Sequence, residues 1–173
     1  MSEFADKAKK IAMYRRLAYM AIAIIAAALM AVKPPFSFQS DQGIKYIRSF
    51  SMTQKEFVVT QTDLKTGAAQ ATETMSVKGL YYCYRVMLAC SILCLFFIIH
   101  TRARVVMCYL TMAGAAAYYV FLVIYALRIA DHYATLLPTW TAFLPAIALE
   151  MMILLRRNLH TYGNYFDDVY EEY

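Results

Sequence analysis

Charged residues and glycine are scarce in this sequence. Only 17% of its 173 residues are charged and only five are glycine, whereas about 25% of the residues of a soluble domain are charged. Hydrophobic residues make up 61%, and the mean hydropathy is +0.45. A chain this short has no aqueous interior large enough to hold so much apolar surface. The composition therefore excludes a disordered or collagen-like chain, argues against a soluble enzyme and indicates a membrane protein.

Motifs for metal, redox and phosphate chemistry are also missing. The three histidines are isolated, and no Ser/His/Asp set, metal-ligand cluster or glycine-rich phosphate loop is present. We therefore predict no enzyme, no cofactor and no metal site. Basic residues lie beside apolar runs, which favours contact with membrane lipid and excludes nucleic acid as a partner. The four cysteines form no Cys-x-x-Cys pair and are interpreted as packing residues: Cys83, Cys90, Cys94 and Cys108.

Four apolar stretches are long enough to be transmembrane helices, each of which needs about 20 apolar residues. The first and third stretches are rich in alanine, which favours close helix packing in lipid. The predicted fold class is an all-α membrane protein, a four-transmembrane-helix bundle within residues 1–157. The predicted spans are residues 11–32, 80–99, 105–127 and 137–155.

The outer loop between the first two spans, residues 34–78, predicts a small β-rich extracytoplasmic unit. Residues 45–52 and 56–63 carry the β-branched and aromatic side chains that are typical of strands, and residues 71–77 are expected to return as a third strand. We expect a small antiparallel sheet over the outer mouth of the bundle. It serves either as a cap or docking surface or as a substrate-binding domain.

Basic residues gather on one side of the predicted spans. Nine of the 17 Lys and Arg residues precede the first span or lie within its first six residues, lie between the second and third, or follow the fourth. The loop on the other side has five basic and four acidic residues. Because short cytoplasmic segments carry an excess of Lys and Arg, the chain is predicted to be integral and multi-pass with both termini cytoplasmic.

Apart from Arg15 and Arg16 near the start of the first span, two charged residues, Arg85 and Glu150, lie inside predicted spans, where a charge at the bilayer centre costs about 2.5–3.5 kcal/mol. Arg85 is expected to reach the outer headgroups, or to pair with Asp131 or with another subunit. Glu150 lies about 9 Å from the level of Arg156 at 1.5 Å per residue. It therefore needs a cationic partner, a contact with another subunit, or a hydrated site in which it carries protons or ions. The arginines considered as its partners are Arg15, Arg16, Arg102 and Arg104.

Pro145 lies five residues before Glu150. Proline lacks a backbone donor and clashes with the carbonyl four residues earlier, at Thr141. We therefore expect a helix kink at Pro145, either as a gate beside the charge or as a packing bend.

Residues 158–173 form an acidic, aromatic cytoplasmic tail in this prediction. Acidic residues gain nothing from an anionic inner leaflet, and exposed aromatic residues gain little from water. The tail is thus either solvated or a motif that docks on a partner. The candidate docking residues are Tyr162, Tyr165, Phe166, Asp167, Asp168, Tyr170, Glu171, Glu172 and Tyr173.

The order of these parts resembles a Bacteroidota family of small four-span inner-membrane proteins of uncharacterised function. The matching features are a basic start, a β-rich loop after the first span, a tight basic hairpin, and Leu144-Pro145-x-x-Ala148-Leu149 followed by Arg156-Arg157. The acidic aromatic tail is not part of the family pattern. The resemblance implies a bacterial inner-membrane location and no catalytic residue.

Two hypotheses for function remain. The first is a non-catalytic accessory or scaffolding subunit of an integral membrane complex, with other membrane-protein subunits or a homo-oligomer as partners. The second is a small transporter or channel component that uses Glu150 as a proton- or ion-coupling group.

Overall fold

The structure, a computed structural model, describes the backbone of residues 2–33, 35–38, 44–51, 56–63, 69–97, 101–130 and 136–170. Side chains are described for residues 7–8, 10–33, 35–36, 76–97, 102–128 and 138–159. Four long helices make up most of this described chain. They are α1 (Ser2–Leu29), α2 (Lys78–Phe96), α3 (Thr101–Ala130) and α4 (Leu144–Tyr170).

The four helices form a bundle in which α1 and α3 each pack mainly against α2 and α4. The connection between α2 and α3 is short, so these two helices are antiparallel. Arg16 of α1 meets Asn158 of α4 close to the end where α3 begins. The helices therefore alternate in direction, and the first and last helical segments extend from the same end of the bundle.

Three of the helices contain stretches that are long and apolar enough to cross a membrane, among the residues that the structure describes: Lys10–Leu29, Lys78–Phe96 and Arg102–Arg128. Large apolar side chains cover the outside of the bundle as well as its inside, and Ile25 and Val120 are examples of exposed ones. Lipid stabilises such a surface, whereas water does not. The predicted helical bundle is thus confirmed, with three helices suited to span a membrane. The fourth span stays a prediction.

The fourth predicted span, residues 137–155, differs from the elements observed there. Its first residues form β5 (Leu136–Pro138) and a 3-10 helix (Trp140–Phe143), and α4 begins only at Leu144. From Leu144 to Leu155 the apolar part of α4 has 12 residues. That length corresponds to about 18 Å of helix, against a hydrocarbon core of about 30 Å. The 3-10 turn and β5 therefore have to supply the remaining apolar length if this segment crosses a membrane.

A short strand pair joins the ends of α1 and α4 that lie away from Arg16. β1 (Phe36–Phe38) is antiparallel to β5, with Phe36 opposite Pro138. The Thr139 N–H also donates a hydrogen bond to the Pro35 carbonyl at 3.0 Å. This pairing, which the sequence did not predict, holds the start of the α4 segment beside the end of α1.

The segment between α1 and α2 contains a three-stranded antiparallel sheet in the order β2-β3-β4. The strands pair in sequence, with an irregularity in the β3–β4 register between Gln61 and Thr62. Their bounds differ by at most two residues from the strand segments expected from the sequence, whereas the location of the sheet outside the cytoplasm stays a prediction. The strands are β2 (Ile44–Ser51), β3 (Glu56–Asp63) and β4 (Ala69–Ser76).

The core of the bundle combines methionine with small residues. Met20 and Met152 are completely buried. At Gly114 of α3 an added Cβ would lie 2.9 Å from Met87 Cγ and 3.5 Å from the Cys83 carbonyl oxygen. Because glycine has no Cβ, α3 approaches α2 more closely at this point than a larger residue allows.

Candidate functional site

Arginines from three helices meet at one end of the bundle. Arg16 of α1 lies within electrostatic range of Arg104 of α3. Arg104 of α3 and Arg156 of α4 both lie near Cys108 of α3. We call this region the arginine end, and it comprises Arg15, Arg16, Arg102, Arg104, Arg156 and Arg157.

Arg16 connects α1 to α4 but is incompletely hydrogen-bonded. Its Nε donates a hydrogen bond to Asn158 Oδ1 at 2.8 Å. Its Nη2 is buried and has no hydrogen-bond partner in the described part of the chain. A buried donor without an acceptor costs free energy, and more so when the group is charged. Arg16 Nη2 is therefore a buried donor that lacks a hydrogen-bond acceptor in the described part of the chain.

Arg104, near the start of α3, is 3% exposed and bonds to the end of α2. Its Nε and Nη2 each donate to the Phe97 carbonyl at 3.2 Å. This carbonyl belongs to the C-cap residue of α2, at the negative end of the helix dipole, where a cation is favourable. The Cys94 thiol contacts the Arg104 carbonyl oxygen at 3.9 Å. The side chain thus fixes α2 relative to α3 while keeping a full positive charge inside the bundle.

Glu150 faces away from the bundle. It is exposed on α4 and lies between Ile147 and Ile153, which are 40% and 42% exposed. The buried positions of α4 lie on a different face, as Ala148 and Met152 show. Within the described residues no hydrogen bond or ion pair involves Glu150. The expected arginine partners engage other groups: Arg16 bonds to Asn158 and Arg104 bonds to Phe97.

Arg85 is exposed on α2, and its guanidinium turns back toward Tyr81. Nη1 donates to the Tyr81 hydroxyl at 2.6 Å, and the guanidinium carbon lies 5.5 Å from the centre of that ring. Because Tyr81 precedes Arg85 by one turn, the side chain runs toward the end of the bundle where the strands lie. This is the direction that contact with outer headgroups requires. Asp131, the alternative partner, lies outside the described residues.

The kink expected at Pro145 is not a bend within one helix. The chain there passes from the 3-10 helix to the start of α4. α4 begins at Leu144, so Pro145 occupies its first turn, where a missing N–H costs little. The Tyr119 hydroxyl donates to the Ala142 carbonyl and accepts from the Ala146 N–H, both at 3.0 Å. In a continuous α-helix those two backbone groups would bond to each other. The tyrosine of α3 therefore stands between the 3-10 helix and α4.

The predicted tail is helical over most of its length. α4 continues without a break from the bundle to Tyr170. The side chains of Tyr162, Tyr165, Phe166, Asp167, Asp168 and Tyr170 lie outside the part whose side chains are described, and Glu171, Glu172 and Tyr173 lie outside the described residues altogether. Their role in docking stays a prediction.

Among the described residues, the cysteines and the possible metal ligands do not form a second candidate site. All four cysteines carry free thiols, and Cys90, Cys94 and Cys108 are buried. In the portion of the chain with described side chains, no three His, Cys, Asp or Glu residues come together as metal ligands. The predicted absence of a metal or cofactor is not tested by that observation.

The sequence did not single out Arg16, Arg104 or Asn158 as functional residues. The arginines served as signs of orientation and as possible partners of Glu150, because Lys and Arg near span ends are common for the first reason. Their juxtaposition depends on how α1, α3 and α4 are rotated about their axes.

Comparison of the chain with protein-family models and with curated proteins finds no match, so the function has to be argued from these contacts.

Proposed function

We propose that this protein is a non-catalytic accessory or scaffolding subunit of an integral membrane complex. The observation that carries the proposal is the outward position of Glu150 between Ile147 and Ile153. A carboxylate on such an apolar face requires a hydrogen-bond donor or a cation, and none of the described residues supplies one. A helix of a neighbouring subunit that brings a Lys, Arg or amide side chain to this face meets the requirement.

The same position argues against a pore through a single bundle. A proton- or ion-coupling carboxylate has to face a hydrated path. Glu150 lies on the outside of α4, whereas the interior positions Ala148, Met152 and Leu155 are fully buried and tightly packed. Transport through Glu150 therefore requires a path between subunits.

Location and orientation belong to the same proposal. The arginine end brings together basic residues from α1, α3 and α4, as a cytoplasmic face requires. We place the protein in a bacterial inner membrane with α4 crossing it, the β2–β4 sheet outside and both termini cytoplasmic. Membership of the Bacteroidota family that the sequence resembles is part of this proposal.

Site-specific photo-crosslinking tests the proposed interface. A photoreactive amino acid at Ile153, on the face that carries Glu150, is expected to capture one partner in stoichiometric yield. The same group at Ala148 faces the core and serves as the control. Glu150→Gln is expected to reduce crosslinking and co-purification in mild detergent, while Glu73→Gln, the same chemical change on β4, leaves both intact.

The identity of the crosslinked species decides between the hypotheses. A different membrane protein supports an accessory subunit. A second copy alone, with ion or proton flux that is lost in Glu150→Gln, would replace the proposal with the transporter hypothesis. No crosslink at Ile153 in a chain that folds normally would refute both.

A further inference from the structure

Two exposed charges of opposite sign lie on the apolar outside of the bundle, Arg85 on α2 and Glu150 on α4. The described contacts of Arg85 are with Tyr81, whose hydroxyl accepts from Nη1 at 2.6 Å. Its Nε and Nη2, which together form a planar fork suited to a carboxylate, have no acceptor in the described part of the chain. Glu150 has no hydrogen bond or ion pair there either. Each charge therefore lies on an apolar surface without a counterion.

Contacts between α3 and α4 give the depth of Glu150 in the bundle. Tyr119 of α3 bonds to the backbone around the start of α4, six residues before Glu150. Tyr109 of α3 accepts a bond from Arg156, six residues after Glu150. Gly114 is midway between the two tyrosines. Because α3 and α4 are antiparallel, Glu150 lies at the level of Gly114.

Arg85 lies at this same level on the other side of α3. Gly114 packs against Met87 and the backbone carbonyl of Cys83 on α2. Arg85 belongs to the helical turn between those two residues. Gly114 is also near the middle of the apolar stretch Arg102–Arg128. Both charges thus lie near the middle of the spanning length, where an unpaired charge is most costly.

The arrangement of the helices prevents the two charges from meeting within one chain. α1 and α3 each pack mainly against α2 and α4, so α2 and α4 occupy opposite corners of the bundle. Arg85 and Glu150 therefore point outward on opposite sides. α2 and α4 nevertheless run in the same direction, toward the arginine end. Two copies with the same orientation in a membrane can thus place α4 of one beside α2 of the next, parallel and without a vertical shift.

We propose that copies of this chain associate side by side in one membrane, with Glu150 of one copy paired to Arg85 of the next. This pairing rests on the proposed function, since it identifies the neighbouring subunit as a second copy within a scaffold. The two faces in contact are different, so the association is head-to-tail. It forms a ring if the rotation between copies closes, and a row in the membrane plane if it does not.

The surfaces around the two charges suit a close contact between helices. Val86, beside Arg85, is a large exposed apolar residue, and the small Ala89 is exposed one turn further along α2. On α4 the small Ala146 is exposed one turn before Glu150. Small residues allow helices to approach closely in lipid. A carboxylate and a guanidinium brought together there are attracted strongly, because little water competes with them.

Co-purification of two differently tagged full-length copies from one membrane, in a mild detergent, tests the pair. Arg85→Gln or Glu150→Gln in both copies is expected to weaken the association about tenfold, as loss of a charge-assisted hydrogen bond does. The exchanged double variant Arg85→Glu/Glu150→Arg is expected to restore it. Lys78→Gln removes a positive charge from the exposed start of the same helix and is the matched control, with unchanged co-purification.

Mixing single variants provides an independent measurement. Copies with Arg85→Glu alone are expected to stay apart from one another, as are copies with Glu150→Arg alone, because like charges then meet. The two variants expressed together are expected to associate, since every contact between unlike copies again joins a carboxylate to a guanidinium. A misfolded variant cannot recover in this way, so the mixture remains decisive if the single variants are unstable.

Several results would overturn the pairing. Equal co-purification of the wild type and all variants would show that copies associate through another face. Loss of association in Glu150→Gln but not in Arg85→Gln would show that Arg85 reaches only the lipid headgroups. Failure of any second copy to co-purify, while a crosslinker at Ile153 captures a different membrane protein, would refute the pairing and leave the proposed function standing. Association of copies with an ion flux that Glu150→Gln abolishes would instead keep the pairing and refute the scaffold.

Discussion

Single polar atoms connect the helices of this bundle at points where backbone groups would otherwise be unpaired. The clearest case is the Tyr119 hydroxyl, which bridges the Ala142 carbonyl and the Ala146 N–H. Thr141 in the same turn is buried, and its hydroxyl pairs with that of Thr139 at 2.7 Å. In a membrane an unpaired backbone group costs several kcal/mol. Such bridges therefore contribute more to the stability of the fold there than on a water-exposed surface.

We predict that Tyr119→Phe lowers the free energy of unfolding by about 1–3 kcal/mol, because two backbone groups lose their common partner. Thermal or denaturant unfolding in detergent measures the change. Tyr109→Phe is the control, since its hydroxyl accepts a longer bond, 3.3 Å, from Arg156 at an exposed position. Equal stability of the two variants would show that the Ala142 carbonyl and Ala146 N–H pair directly once the hydroxyl is gone.

At the scale of elements, α4 combines a packing segment with a long extension. Its buried positions recur at helical spacing through Ala148, Met152, Leu155 and Leu159. From there the helix continues 11 residues to Tyr170, about 16 Å at 1.5 Å per residue. A helix this short is marginal in water unless it packs against something. Packing against the first residues of α1, which extend from the same end of the bundle, or against another protein would stabilise the extension.

We predict that deleting residues 162–173 releases a cytoplasmic partner and leaves the unfolding midpoint of the bundle unchanged. Tyr162, Phe166 and Tyr170 recur every four residues, a spacing that suits anchors along one side of a helix. Co-purification across a range of salt concentrations measures the effect. Replacing only the acids Asp167, Asp168, Glu171 and Glu172 by amides should weaken the association and reduce its salt dependence. Unchanged partner binding by the truncated chain at every salt concentration would mean that the tail is only solvated.

The molecule as a whole is polarised along the bundle axis. Six arginines gather at one end, whereas the strand pair β1–β5 lies at the other. Lys and Arg are retained on the cytoplasmic side during insertion. In the proposed orientation the arginine end therefore faces the cytoplasm.

We predict that a cysteine at Thr66 reacts with a membrane-impermeant maleimide in intact cells, while a cysteine at Ser2 reacts only after the membrane is opened. Both variants carry replacements of the four native cysteines. Labelling is read by gel shift, and the two positions control each other. Reaction of the Ser2 variant in intact cells would reverse the proposed orientation.

Features that depend on the local sequence could be predicted, whereas features that depend on contacts between residues far apart in the sequence could not. The helices α1, α2 and α3 were predictable because a long apolar run indicates a span without knowledge of its neighbours. The start of α4 was not, because Leu136 and Leu137 are as apolar as the helix that follows, and their strand pairing depends on residues about 100 positions earlier. The outward position of Glu150 and the free Nη2 of Arg16 depend on the rotation of each helix, and the nearly uniform hydrophobicity of these segments does not determine that rotation.

The pairing of β1 with β5 also has a consequence for biosynthesis. Phe36 leaves the ribosome about 100 residues before Pro138, the residue opposite it in the β1–β5 strand pair. α2 and α3 are close in sequence and can associate as soon as both are inserted, whereas α1 must wait in the lipid for α4, one of its two main neighbours. During that interval Arg16 has no Asn158 to bond to. The nascent protein therefore passes through a stage in which its first helix is open to chaperones or to early capture by another subunit, and synthesis of residues 136–170 ends that stage.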